Sequence, residues 1–195
     1  MRDGFIKTAA VTPRIRVADI EYNRGETEKL MKEATEGGAK VIVFPELCLT
    51  GYTCQDLFLQ PLLAEKAQEA LCLLVKASEG TDALVFVGLP LEQDGKLYNT
   101  AAVFQNGKLL AFIPKRYLPN YAEFYEMRHF SPGEADVIMI DFYGQQVPFG
   151  QNLLFCTEAV KGLKIAAEIC EDLWVPDPPS TSHAMNGANL IVNLS

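Results

Sequence analysis

The sequence predicts an α/β domain in which a mixed sheet carries helices on one face. Three observations predict it. The first half alternates strand-like and helical patterns, the order of a sheet with crossover helices. Two hairpin dipeptides, Asp94-Gly95 and Asn106-Gly107, then separate three strand-like runs, which rules out a plain doubly wound sheet. The second half is rich in short strands.

The bulk properties bound the function. A chain of 195 residues, 49% hydrophobic and 22% charged, reads as one domain with room for a substantial core. Its net charge of -8 argues against nucleic acid or an anionic membrane as partner. Arg2, Asp3 and Lys7 interrupt the apolar start, so no signal peptide is read. The longest charge-free apolar run, Ala83 to Leu91, is too short to span a bilayer. Five cysteines without a CxxC pair suit a reducing compartment, and a cytoplasmic location is expected. His129 and His183 belong to no ligand motif, so no metal site is expected.

Phe5 to Val11 reads as a buried strand closed by Thr12-Pro13. From Ala18 to about Glu36, Ile20, Thr27, Leu30, Met31 and Ala34 recur at helical spacing, and Gly37-Gly38 form the stop. Val41 to Phe44 is continuously apolar, the pattern of a strand covered on both faces. It runs into Pro45-Glu46-Leu47. A carboxylate just past the carboxyl end of a buried strand lies where α/β sheets place their chemistry. Desolvation there raises its pKa and suits it to act as a base, although an exposed turn glutamate is the plainer reading.

Asp56 is expected to N-cap a second helix reaching about Ser78, with Leu63, Ala67, Ala70, Leu71, Leu74 and Val75 as its inner stripe. Ala83 to Leu91, Leu97 to Phe104 and Lys108 to Ile113 follow as strands. Lys115 stands at the end of the third, and a surface lysine is its plainer reading. The loop Asn120 to Gly133 is rich in aromatics and carboxylates, a content more typical of functional loops. Val137 to Phe142, Gln146 to Phe149 and Leu153 to Cys156 read as further strands, Ser182 to Asn186 as a short helix, and Leu190 to Leu194 as a terminal strand.

The most informative stretch is Gly162 to Trp174, GLKIAAEICEDLW. Leu163, Ile165, Ala167 and Ile169 alternate with Lys164, Ala166 and Glu168, which predicts a strand with one buried face. The alternation stops at Cys170, and Pro176, Pro178 and Pro179 forbid continuation of the ladder. A structural cysteine beside a solvated acidic pair is the plainer reading here. Taken together, however, Glu46, Lys115 and Cys170 each follow an apolar strand. A carboxylate, an ammonium and a thiol form a complete set for acyl transfer without histidine, provided the three strand ends converge.

These residues also carry a resemblance. FPELCLTGY at 44–52, PKRYLPNY at 114–121 and EICEDLW at 168–174 resemble the Glu, Lys and Cys motifs of the nitrilase (carbon-nitrogen hydrolase) superfamily, in order and spacing. NYAEFYEMRHFSPG at 120–133, VPDPPS after the Cys motif and the terminal ANLIVNLS are similar to the glutaminase domains of glutamine-dependent NAD synthetases. The resemblance implies an α-β-β-α sandwich with Cys170 as nucleophile, Glu46 as general base, Lys115 as oxyanion partner and Glu126 as a second glutamate near the thiol. It places Tyr52, Tyr121, Phe124, Glu171 and Trp174 in segments that line a glutamine pocket. Glu171 would pair with a substrate ammonium and lend its backbone N–H to the oxyanion.

The implied reaction is hydrolysis of glutamine to glutamate and ammonia through a Cys thioester, the ammonia serving NAD synthesis from deamido-NAD by a synthetase domain. Domains of this family continue past Asn193-Leu194-Ser195, and no ATP-dependent synthetase domain occurs in the sequence. Residues 1–195 are therefore expected to be an amidohydrolase domain incomplete at its C-terminus. No cofactor is expected for it, since ATP and Mg would belong to the synthetase domain. The apolar terminal strand, left uncovered, predicts self-association into a homo-oligomer. Two alternatives stay open: a free-standing amidase acting on another small amide, and a non-catalytic fragment serving as an assembly surface.

Overall fold

The computed structural model describes residues 5–157 and 160–195. β1 (Thr8–Ala10), β2 (Val41–Val43) and β3 (Leu84–Gln93) pair in parallel, joined by the helices α1 (Ile20–Glu36) and α2 (Pro61–Ala77). β3, β4 (Lys96–Gln105) and β5 (Lys108–Pro114) form an antiparallel meander. Its two turns have positive φ at both central residues, Asp94 and Gly95, then Asn106 and Gly107. That is the twist a two-residue hairpin requires. β5 next meets β7 (Gln145–Phe149) in parallel, and β6 (Ile138–Phe142) closes the sheet antiparallel to β7. The strand order is β1-β2-β3-β4-β5-β7-β6.

A second sheet has the order β10-β9-β8, from β8 (Phe155–Cys156), β9 (Lys164–Ile169) and β10 (Leu190–Leu194). β9 and β10 run parallel, connected through the short helix α3 (Pro179–Met185). The period of two along β3 divides the core into layers. Val85, Val87 and Leu89 face the helices with Met31, Leu71 and Leu74. Leu84 and Phe86 face the second sheet, where they pack with Ile165, Ala167, Ile169, Val192 and Leu194. With α3 packed on β9, the layers are helix, sheet, sheet, helix, the expected α-β-β-α sandwich.

Several expectations need correction. The first helix starts at Ile20, because Ala18 has a φ of +59° and Asp19 caps the helix by accepting from the Tyr22 N–H at 3.2 Å. Asp56 does not cap α2. Residues Gln55–Leu59 form a separate 3-10 turn, and the Asp56 carboxylate is taken by Arg128 at 2.7 and 2.9 Å. α2 begins at Pro61, whose missing N–H costs nothing in a first turn. β1 and β8 are shorter than the apolar runs that announced them, and α3 spans Pro179–Met185 instead of Ser182 to Asn186.

β9 departs furthest from its pattern. Ala166 and Glu168, read as the solvent face, are completely buried. The segment of α3 covers that face, and Glu168 Oε2 accepts from the Ser180 N–H at 3.1 Å. The terminal strand is likewise covered where it was expected bare: Val192 and Leu194 are buried between the sheets. Among the described residues the outer edge of β10, the end of the second sheet, has no neighbouring strand.

Candidate active site

Each of the four expected catalytic side chains sits just past a strand or on a tight turn. Glu46 follows β2 on a loop that turns at Leu47, φ +50°. This loop lies directly on β3 at Gly88, where an added Cβ would come within 2.4 Å of Leu47 N and the Pro45 carbonyl. Only glycine permits that approach. Lys115 leaves β5 with its N–H on the Asn99 carbonyl and its own carbonyl on the Gly133 N–H, both at 2.8 Å. The second bond folds the loop 120–133 back over the strand end and brings in Glu126, which heads a 3-10 turn, Glu126–Arg128. Cys170 opens another 3-10 turn, Cys170–Leu173, with φ at +45°. A non-glycine residue in that region is strained and persists only where its surroundings hold it.

The polar groups converge. Lys115 Nζ lies 2.7 Å from Glu46 Oε1 and 2.7 Å from Glu126 Oε1. Asn99 Nδ2 donates to the same Glu46 oxygen at 2.6 Å, and Tyr52 Oη donates to Glu126 Oε1 at 2.8 Å. Lys115 is completely buried and Glu46 and Glu126 nearly so, which removes the surface-lysine and exposed-turn readings. Glu126 Oε2 is buried with no hydrogen-bond partner among the described residues.

Two carboxylates thus share one ammonium out of water, and that imbalance sets the electrostatics. Burial pushes the Glu46 carboxyl up, against the pull of Lys115, and the negative Glu126 adds to the rise. Burial draws Lys115 down, but Glu46 and Glu126 outweigh it, so the ammonium is held above its ordinary range. The half-buried Cys170 thiol is raised by burial and by the Glu46 charge, with Ser195 and Lys115 pulling it down. The cation therefore pulls the thiol down, but burial and the Glu46 charge outweigh it. At neutral pH the thiol rests protonated beside a raised carboxylate.

The expected substrate residues are only partly assembled. Tyr52 meets the Phe124 ring edge-on at 6.4 Å, and Phe124 meets Tyr121 at 5.9 Å. Tyr121 Oη then reaches both Glu171 carboxylate oxygens, at 3.0 and 3.1 Å. These side chains form a continuous aromatic wall from Glu126 to Glu171. Trp174 stays outside it, 74% exposed at the end of the Cys170 turn. Tyr52 also borders two cavities, one of 240 Å³ with Phe124, Glu126 and Phe130, the other of 490 Å³ with Glu46 and Ser195.

Two residues of the site escaped the sequence reading. Asn99 was an unremarked polar residue in the strand LYNTAAVF, although an asparagine inside an apolar strand is itself a signal, since strands disfavour it. Asp172 was grouped with Glu171 as a solvated pair, yet it is completely buried.

Comparison with known proteins gives the family. The sequence profile of the family described as carbon-nitrogen hydrolase matches residues 7–195. The glutamine-dependent NAD(+) synthetase of Mycobacterium leprae is 38% identical over 192 residues, covering 98% of this chain and 28% of that protein. The crystal structure of a glutamine-dependent NAD(+) synthetase from Cytophaga hutchinsonii superposes with a TM-score of 0.85 at 30% identity, covering 97% of this chain and 30% of the other. An amidase from Nesterenkonia sp. shares the fold with a TM-score of 0.72 at 20% identity, covering 100% of this chain and 66% of the other. The chain therefore spans less than a third of the synthetases it resembles.

Proposed function

The chain belongs to the carbon-nitrogen hydrolase family, and on that premise we propose that it hydrolyses the side-chain amide of glutamine to glutamate and ammonia. The observation that carries the reading is the buried ammonium of Lys115 between Glu46 and Glu126, beside a thiol on a left-handed turn. Glu46 takes the proton of the Cys170 thiol as sulfur attacks the amide carbon. The raised pKa of the carboxyl suits it to both directions of proton transfer. Lys115 and the Glu171 N–H stabilise the oxyanion. Collapse returns the proton from Glu46 to the leaving nitrogen, which departs as ammonia and leaves a γ-glutamyl thioester. Water then gives a proton to Glu46, attacks the thioester and expels the thiolate, which is reprotonated.

Glu171 and Tyr121 would receive the substrate ammonium, with Tyr52 and Phe124 along its aliphatic stem. This chemistry calls on no cofactor. Residues 1–195 would act as the amidohydrolase domain of a longer protein, delivering ammonia to an ATP- and Mg-dependent synthetase domain that makes NAD from deamido-NAD. Among the described residues no helix is long and apolar enough to cross a membrane. The open edge of β10 offers unpaired backbone groups for pairing with a second copy, which light scattering would detect as a concentration-dependent rise in mass.

The deciding experiment measures ammonia release from glutamine, asparagine and simple aliphatic amides by the folded protein and its Cys170→Ala variant. Preference for glutamine, lost with the thiol, is the expected result. Equal turnover of other small amides would indicate a general amidase. No release from any amide by folded protein would overturn catalysis.

A further inference from the structure

The turn that carries Cys170 also holds a carboxylate that the proposed reaction does not use. Asp172 is completely buried, and four donors converge on it. Oδ1 accepts from the backbone N–H of Arg116 at 3.0 Å and of Tyr117 at 2.8 Å. Oδ2 accepts from the Ile169 N–H and from Gln151 Nε2, both at 3.1 Å. Arg116 directly follows Lys115, and Ile169 directly precedes Cys170. One carboxylate thus joins the neighbours of the ammonium and of the thiol, which stand on different sheets. The other polar links between these segments, Tyr117 Oη to the Asp177 carbonyl at 3.3 Å and Tyr121 Oη to Glu171, are exposed.

The residue type fits the position. An ionised carboxylate only accepts, and its two oxygens have lone pairs enough for four donors. An asparagine keeps one accepting oxygen and turns its amide nitrogen towards donors on the other side. An apolar residue would strand buried backbone N–H groups at two places next to the site. Gln151 is fixed in turn, buried with its backbone carbonyl 2.9 Å from His183 Nε2 on α3. The turn so held is the strained one, with Cys170 at φ +45°.

We propose that Asp172 is a positioning residue: its hydrogen bonds set the Cys170 turn against the strand end of Lys115 and so fix the thiol relative to the ammonium. The proposal rests on Cys170 being the nucleophile. Geometry of this kind matters kinetically, because a misplacement of about 1 Å can cost about a hundredfold in rate.

The test follows alkylation of Cys170 by iodoacetamide, mapped by peptide, as a function of pH. It compares the native protein with Asp172→Asn, Gln151→Leu and a core control, Leu71→Ala, in the helical layer away from the site. Asp172→Asn should be slowed about ten- to a hundredfold, with the apparent thiol pKa moved up as Lys115 ceases to face the sulfur. Gln151→Leu should shift rate and profile the same way by less. Leu71→Ala should keep the native rate and profile despite a lower Tm. A folded Asp172→Asn with native rate and profile overturns the proposal. If that variant fails to fold, a native rate and profile in Gln151→Leu overturns it. Failure of a chloroketone analogue of glutamine to label Cys170 in the native protein overturns the nucleophile assignment as well. Normal labelling with an indifferent Asp172→Asn overturns the positioning role alone.

Discussion

Lys115 Nζ and Glu46 Oε1 are 2.7 Å apart in a pocket that leaves the lysine no exposed surface. Burying an ion pair is costly unless further hydrogen bonds support it. Here Asn99 and Glu126 supply them. An arrangement so poor as a source of stability is more readily explained by what it does to a reacting group nearby.

Replacing Lys115 with Met should therefore have two effects. Turnover should fall by about 2.7–4 kcal/mol of barrier, roughly a hundred- to a thousandfold, through loss of the oxyanion partner. Breaking a buried pair also destabilises by about 3–5 kcal/mol, reduced where Glu46 or Glu126 picks up a proton. Lys115→Arg should not restore turnover, because the planar guanidinium aims its donors differently. Steady-state ammonia release with thermal unfolding separates the two effects. Folded variants with native turnover would leave Glu46 and Cys170 as a dyad.

Asn99→Leu should act on the base instead. Its side-chain amide donates to Glu46 Oε1 and its side-chain Oδ1 has no hydrogen-bond partner among the described residues, so the substitution strands little besides the carboxylate. Losing a hydrogen bond to a charged group costs about 1.5–3 kcal/mol and lifts the Glu46 pKa further. The acid limb of the pH–kcat/KM profile should move to higher pH. An unmoved limb would mean that Asn99 serves packing alone.

Cys170 should be the cysteine that a chloroketone analogue of glutamine modifies. Cys48 is buried with its thiol pushed up to about 12, and Cys54 is buried and raised as well, so neither competes. Cys72 and Cys156 are exposed and provide the stringent comparison. Intact mass and peptide mapping should find a single adduct at Cys170, and preferential modification of either exposed cysteine would remove it from the mechanism.

Asp172 should leave a signature in stability as well as in reactivity. Burial pushes its carboxyl from 3.8 up to about 6, against the pull of the Tyr117, Ile169 and Arg116 N–H groups. The folded state then binds the proton more tightly than the unfolded one. Stability from this group is fully present below pH 3.8 and is lost as pH rises through about 6. The shift corresponds to about 3 kcal/mol. Between those limits Asp172→Asn, which does not titrate, should gain stability relative to the native protein as pH rises. Urea unfolding across that range checks the sign, and a constant difference would mean that the carboxyl titrates at its ordinary pKa.

Much of this protein was determined by local sequence. Hydrophobic period, Gly-containing turns and the Asp94-Gly95 and Asn106-Gly107 dipeptides specify strands and hairpins, because each acts within a few residues. The three strand-end residues Glu46, Lys115 and Cys170 were legible for the same reason. The tertiary structure decided what lies between them. Asn99 reaches Glu46 across 53 residues of chain and Asp172 reaches Arg116 across 56. No periodicity in either segment encodes such a bond. Glu168 and Asp172, polar in the sequence, became interior when α3 and the first sheet closed over them, while Trp174, apolar, was left outside. Burial depends on which layers meet, and that is fixed only when strands distant in the chain pack together.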